Sequence, residues 1–397
     1  MNALAKNLLA VLLLAVVVLY FGGNFPRMQK GVDFSDFYAA ARMVRDGRGA
    51  QLYDRSTQDA YLARYSGRVG TYFIHPPFEA LVYLPFSLLP LPSAYMLWCA
   101  FNALLLLMVT ILLTHHLRLR GSWQVLLVIS LLFPPLLLDF LQGQDSLPLL
   151  FLFSAAFVAM QQKRDVGAGC LLACGLIKFH LTIPLALLMM FSASRKMWRG
   201  FAAVALGLLL LSLGISGRSA ISTYSRFLYH LSGLPLGGIH YQAMANLRGL
   251  WRIMLPRWPN LSLWLTVITS LIVFGLTVNA TMLAAKSGAR KLAWGIAILA
   301  ATLVSYHLSP HDLTILLLPL ALILDHIQTE QRVPKPTQIL FLLTSGLLLL
   351  PPLHLLLLAL HDYAPIAVFI LLLYALMYFE IRRVSALRAV PELGANL

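Results

Sequence analysis

Two aspartates, Asp33 and Asp36, stand three residues apart at the start of Asp-Phe-Ser-Asp-Phe-Tyr-Ala-Ala-Ala-Arg-Met-Val. On a helix that spacing puts both carboxylates in the first turn, where they can face one cavity. Carboxylates so placed can take a proton from an attacking hydroxyl. They can equally cap the helix and complement its dipole. Phe34, Phe37, Tyr38, Ala41 and Val44 share one face, expected to lie in the membrane interface with its aromatic side toward lipid. Lys178 and His180 stand in Leu-Ile-Lys-Phe-His-Leu, between apolar halves of about 13 residues each. At 1.5 Å per residue each half reaches roughly 20 Å, so the turn should lie at membrane depth. A lysine there either marks a functional site, suited to a lipid-linked phosphate, or snorkels to the headgroups.

Further polar residues follow the same pattern. Ser305-Tyr-His307-Leu-Ser-Pro310-His311-Asp312 ends an apolar run with two histidines and an aspartate. Pro310 breaks the helix, so the histidines do not form a regular i, i+4 metal pair, and His311 or Asp312 can also cap the next helix. Gln142-Gly143-Gln144-Asp145-Ser146 offers amides to sugar hydroxyls, or simply a tight turn. In Asn246-Leu-Arg248-Gly, the guanidinium can hold a phosphate in bidentate fashion or bind anionic headgroups. The tyrosines, tryptophans and histidines nearby, such as Tyr241 and Trp258, read as aromatic-belt anchors. No Walker loop, dinucleotide fingerprint, HExxH or GxSxG context occurs, so a soluble nucleotide donor has no support.

The elements that position these residues are membrane helices. The chain has 397 residues, 59% hydrophobic and 11% charged, with a mean hydropathy of +0.79. A soluble domain is nearer 25% charged, so a soluble core is excluded, as are disorder and a disulfide scaffold. The three cysteines, Cys99, Cys170 and Cys174, lie in apolar stretches and support neither disulfide framework nor metal ribbon. The net charge of +15 comes from short clusters between apolar runs, the pattern of cytoplasmic anchors and not of a nucleic-acid groove.

Apolar runs fall at 7–22, 91–116, 123–138, 146–161, 165–177, 181–194, 198–216, 260–284, 291–306, 312–326, 337–352 and 363–381. Several are shorter than the ~20 residues of a full crossing. The first is followed by no small-x-small cleavage site and reads as an uncleaved span. Phe78–Leu89 reads as a short re-entrant or interfacial helix. The clusters Arg118/Arg120, Lys163/Arg164, Arg195/Lys196/Arg199, Lys286/Arg290/Lys291, Arg332/Lys335 and Arg382/Arg383 all occupy short connections. About twelve crossings, with both termini inside, put every cluster in the cytoplasm. The long segments 23–77 and 217–259 then lie outside. Eight basic residues in the first oppose this, but long loops obey the rule poorly. The fold class expected is all-α and polytopic: one transmembrane domain over 1–397 with interfacial helices in its outer loops. Asp33, Asp36, Gln142, Gln144, Asp145, Lys178, His180, Asn246, Arg248, His307, His311 and Asp312 then share the outer face.

As an ordered set, these segments resemble glycosyltransferase family 87, whose members use polyprenyl-phosphate sugars and have the GT-C membrane fold. The resemblance is carried by Asp33-Phe-x-x-Phe-Tyr-x-Ala-Ala, Leu52-Tyr53-Asp54, Pro76-Pro-Phe-Glu-Ala-Leu and Pro85…Leu88-Leu-Pro90. Gly143-Gln144, the Lys178 turn, Asn246-Leu-Arg-Gly and Ser309-Pro-His311-Asp312 complete it, over about residues 30–320. Two positions depart from the pattern. His75 stands where the family often has tyrosine, and Asn246-Leu-Arg248 where Asn-Gln-Ser is common, so acceptor identity does not carry over. The resemblance implies an inverting transfer of a sugar, mannose foremost, from a polyprenyl-phosphate donor to a hydroxyl of an envelope lipid or glycan. Asp33 matches the family's catalytic aspartate, with Asp36 the possible second carboxylate. Lys178, Arg248, His307 and His311 are candidate phosphate ligands. Gln144, His180, Asn246, Asp312, His75 and Tyr38 are candidates for sugar or acceptor. A single phosphate needs no metal, so no metal or cofactor is expected. The implied setting is a bacterial inner (plasma) membrane, the site facing the periplasm or exterior. The alternative is a transporter or flippase of a lipid-linked substrate, which would favour internal repeats and charges near the midplane; neither is seen. A non-catalytic scaffold for envelope assembly is a third reading.

Overall fold

The computed structural model describes residues 3–28, 33–192, 194–230, 240–330 and 332–389, so parts of both long segments lie outside the described residues. Every regular element among these is helical. In chain order they are α1 (Ala3–Met28), α2 (Phe34–Arg45), α3 (Arg55–Ser66), α4 (Ala80–Tyr83), α5 (Leu91–His116), α6 (Trp123–Leu131) and α7 (Pro134–Gln142). Next come α8 (Ser146–Gln161), α9 (Asp165–Cys174), α10 (Phe179–Met189), α11 (Arg195–Ser216), α12 (Ser219–His230), α13 (Leu247–Met254) and α14 (Pro259–Lys286). The last are α15 (Arg290–Val304), α16 (Leu317–Thr329), α17 (Lys335–Leu349), α18 (Pro351–Ala359) and α19 (Ile366–Ala389). Among the described residues, six helical stretches are long and apolar enough to cross a membrane, and eight if the bent pairs α6–α7 (72°) and α17–α18 (47°) each count as one. The chain is an all-α, polytopic membrane protein.

The twelve expected apolar runs do not all cross. Residues 165–189 are long and apolar enough for a span, yet Ser194 Oγ, just past α10, donates to Asp165 Oδ2 at the start of α9 at 2.6 Å. A straight helix would separate those ends by roughly 37 Å. The segment is therefore a re-entrant hairpin: α9 rises, a 3₁₀ turn Gly175–Lys178 reverses it, and α10 returns. Backbone polar groups in such a break are tolerable only where protein covers them, and Thr182 Oγ1 closes one by donating to Gly175 O at 2.5 Å. Two glycines seat the hairpin against α11. A Cβ on Gly169 would stand 1.9 Å from Met197 O, and one on Gly200 2.2 Å from Val166 O. Small residues of this kind let membrane helices approach backbone to backbone.

The basic clusters gather at one end of the bundle. Arg118 N donates to Asp325 Oδ1 at 2.6 Å and Lys291 Nζ to Asp325 Oδ2 at 2.7 Å. Arg383 and His326 both reach Glu380 at 2.7 Å. The opposite end carries the connections that hold Asp33, Gln144, Lys178 and His311.

Two expectations about residues 34–89 change. The aromatic face of α2 packs into protein and not lipid, because α4 and α5 bring aromatic side chains to cover it. Phe37 stacks on Tyr83 at 4.5 Å, and Phe34 meets Tyr95 at 5.5 Å and Trp98 at 6.2 Å. Phe78–Leu89 is broken into single turns by Pro85 and forms, with α2, a lid over the upper part of α5.

Candidate active site

At the end of the bundle opposite the basic clusters, a cavity of about 320 Å³ is walled by pieces from six parts of the chain, one of them the 240–244 segment with His240 and Met244. The start of α2 supplies Asp33 and Asp36, and the segment before Pro76 supplies Thr71 and His75. The α7–α8 turn supplies Gln144, the hairpin tip Lys178 and His180, and the turn after α15 His307, His311 and Asp312.

Each piece is fixed locally. Gly143, at φ +65°, ends α7 in the left-handed region, where side chains are strained and a Cβ would also meet Phe34 Cβ at 2.6 Å. Buried Asp139 accepts from Ser146 N at 3.0 Å and Leu147 N at 3.1 Å, pinning the first turn of α8 and hence the Gln144–Asp145 corner. Gln58 Oε1 accepts from Phe73 N at 2.7 Å, and Tyr53 donates to His75 O at 2.8 Å, so α3 and its neighbours hold the 71–75 segment across the cavity.

An ion cluster joins the pieces. Lys178, 2% exposed, donates to Asp312 Oδ1 at 2.7 Å and Gln144 Oε1 at 3.3 Å, and stands 2.9 Å from Asp145 Oδ1. The same Gln144 donates through Nε2 to Asp33 Oδ2 at 2.8 Å. Gln144 thus links the candidate base to the buried lysine. Asp312 also accepts from Ser309 N at 2.8 Å, so it caps the turn before α16 and belongs to the site at once. Asp36 accepts from Thr71 Oγ1 at 2.8 Å and faces Arg68 at 3.9 Å. Burial raises the pKa of Asp33, opposed by the Gln144 hydrogen bond and by the charges of Arg68, His75 and Lys178. Burial, with repulsion from Asp33, pushes Asp36 up to about 7.

The histidines add neutral nitrogens. His311 Nδ1 lies 2.5 Å from Gln142 Oε1. His180 and His307 face each other with ring centroids 5.9 Å apart. His180 Nε2 and His307 Nδ1 are buried with no hydrogen-bond partner, although His180 Nε2 lies 3.7 Å from Asp312 Oδ2. Burial holds His307 down to about 3, so it offers an N–H or a lone pair and no charge.

Three expected residues are not brought to the cavity wall. Arg248 donates to Tyr306 O at 2.7 Å and lies over the Tyr241 ring at 5.2 Å. Asn246 caps α13 through Gly249 N at 2.9 Å and donates to Ser305 O at 2.7 Å. Together they brace the 305–307 turn from behind. Tyr38 is buried and donates to Leu89 O at 2.8 Å. Sequence reading singled out neither Glu79 nor Arg68. Glu79 is fully buried, a rare state for a glutamate and its only signal being its place after Pro76-Pro77 in the quoted stretch.

Residues 73–310 match the profile of glycosyltransferase family 87. The chain belongs to glycosyltransferase family 87. It is a membrane glycosyltransferase. No curated protein and no solved structure matches it. The matched range takes in His75, Gln144, Lys178, His180 and His307. His311 and Asp312 lie just past its end, Asp33 and Asp36 well before its start, and all four join the site through the contacts described above.

Proposed function

We propose that the protein transfers a sugar, mannose the expected one, from a polyprenyl-phosphate carrier to a hydroxyl of an envelope lipid or glycan, at the extracytoplasmic face and with inversion. The observation that carries this reading is the single cavity lined by Asp33 and by the hairpin tip. A carboxylate able to take the acceptor proton shares it with Lys178 and with the open nitrogens of His180 and His307, which can receive a departing phosphate. Asp33 is the base: its Oδ2 is oriented by Gln144, whereas Asp36 is engaged by Thr71 and Arg68.

A lipid-linked donor is supported by a second, apolar groove of about 300 Å³. Leu208, Leu209 and Leu213 of α11 form one wall, with Pro76, Pro77 and Phe78 opposite. Phe179 borders both this groove and the cavity. An isoprenoid chain would lie against α11 while its phosphate reaches the hairpin tip. The test is sugar transfer by purified protein from polyprenyl-phosphate-mannose to a host lipid extract, comparing wild type, Asp33→Asn and Asp36→Asn. Transfer with inverted anomeric configuration, lost in Asp33→Asn, is the expected result. Loss only in Asp36→Asn reassigns the base. No transfer from mannose, arabinose or glucose donors would sink the donor class and put transport first.

A further inference from the structure

His75, Glu79 and Asp145 meet behind the cavity wall, and sugar transfer as described above leaves Glu79 without a part. His75 Nδ1 stands 3.0 Å from each Glu79 oxygen. One atom from each of the three side chains lies within 4.8 Å of the other two. Lys178 Nζ closes the row, 2.9 Å from Asp145 Oδ1. The row thus runs from an imidazole that lines the cavity, through two carboxyl groups that do not, back to the hairpin tip.

The protons of this row can be placed by elimination. Glu79 and Asp145 are 0% and 1% exposed, and two facing carboxylates do not both stay ionised so deep in protein. Asp145 is the ionised one: against the upward push of burial, Lys178 and His75 hold its pKa below the ordinary value. Glu79 is the neutral one, since burial and the repulsion of Asp145 raise its pKa well above the ordinary value. The Glu79 proton then bonds to Asp145, and what Glu79 offers His75 is an acceptor. His75 Nδ1 must carry a hydrogen to meet it. Burial keeps the ring neutral by lowering its pKa, with Asp145, Lys178, Asp312 and Asp33 the charges that bear on it. Nε2 is therefore left with a lone pair and no hydrogen. Phe37 and Phe73 fix the ring, their centroids 4.8 and 5.6 Å from its own, and Tyr53 holds the backbone through His75 O at 2.8 Å. Because Nδ1 is engaged away from the cavity, the edge that carries Nε2 is the one the cavity meets.

A lone pair in that place discriminates. It repels a phosphate oxygen, which has only lone pairs to present, and it receives a hydroxyl. The attacking hydroxyl of the acceptor gives its one proton to Asp33, so the hydroxyl left for His75 is one on the transferred sugar. The chain order agrees: Pro76, Pro77 and Phe78, the next three residues, wall the groove assigned to the isoprenoid chain. We propose that neutral Glu79 fixes His75 as the tautomer with its hydrogen on Nδ1, and that the Nε2 lone pair selects the donor by accepting a hydrogen bond from a hydroxyl of its sugar. Glu79 is a positioning residue, and His75 is the one that touches substrate. The second half of the proposal rests on the lipid-linked donor reading, and the first half does not.

The first arm of the test reads the tautomer by nitrogen-15 resonance in histidine-labelled, full-length protein in detergent with no donor present. The His75 signals are those lost in His75→Phe. A protonated Nδ1 beside an unprotonated Nε2 is expected, kept in Glu79→Gln, whose amide can donate to Asp145 and accept from His75, and lost in Glu79→Leu. A ring with its hydrogen on Nε2, or a tautomer indifferent to Glu79→Leu, overturns the first half. The second arm compares kcat/KM for polyprenyl-phosphate-mannose and its monodeoxy analogues. At one ring position wild type should prefer the hydroxyl by about tenfold or more, the mark of a site built to bond it. His75→Phe should lose the preference at that position alone, and His75→Leu serves if the first variant fails to fold. Preferences unchanged at every position, or a shift in acceptor KM alone, overturn the second half. No transfer from any polyprenyl-phosphate sugar sinks the donor reading and the second half with it, and leaves the tautomer standing.

Discussion

Asp33 and Asp36 sit one helical turn apart and differ in their company. Gln144 orients Asp33, while Thr71 and Arg68 hold Asp36. Removing the proposed base by Asp33→Asn should lower kcat by about 10²–10⁴-fold, the usual range for a positioned proton acceptor. Because burial raises the Asp33 pKa, the reactive ionised form is lost sooner than usual as the medium acidifies. Beside burial, the groups that act on this pKa are Gln144, Arg68, His75 and Lys178, each lowering it. The kcat/KM profile should therefore hold at high pH and fall on acidification, with its lower inflection above the ordinary aspartate value of 3.8. Lys178 poses a different question, because it balances Asp145 and Asp312 in a buried cluster. Lys178→Met leaves those charges unopposed and should destabilise the fold by about 3–5 kcal/mol, read as a drop in Tm in detergent. Were the lysine only an anchor to the headgroups, the change would be close to neutral.

The hairpin α9–α10 was legible as two short halves around Lys178, since each apolar run is too short to cross. The bend of α6–α7 was not, because nothing in a run of apolar residues reports the direction in which a proline break turns. Side-chain company was the least legible quantity. The aromatic stripe of α2 reads as lipid-facing until α4 and α5 are seen to supply rings against it. Arg248 and Asn246 have the chemistry of ligands, but the fold spends it on the carbonyls of Tyr306 and Ser305. Glu79 escaped because spacing cannot announce that a glutamate will be fully enclosed. At this scale the prediction concerns the α9–α11 seam. Gly169→Val places a branched side chain where a Cβ would already overlap the carbonyl of Met197. It should cost about 1–3 kcal/mol through overpacking and also depress transfer, by tilting α9 and moving Lys178 at its tip. A seam unrelated to the site would give the Tm loss alone.

The whole molecule separates a charged cavity from an apolar groove, with Phe179 at their common border. Filling the groove by Leu208→Trp should raise KM for a long-chain donor at least tenfold and leave a short, water-soluble donor analogue little affected; comparing the two KM values checks it. The basic clusters gather at one end and the cavity opens near the other, with the hairpin between them. That hairpin leaves the bundle by the end through which it entered, and its turn forms part of the cavity's wall. Among the described residues the hairpin serves the cavity from one side only. For the lipid-linked donor proposed above, transfer can then run only as fast as fresh donor reaches the leaflet beside the cavity.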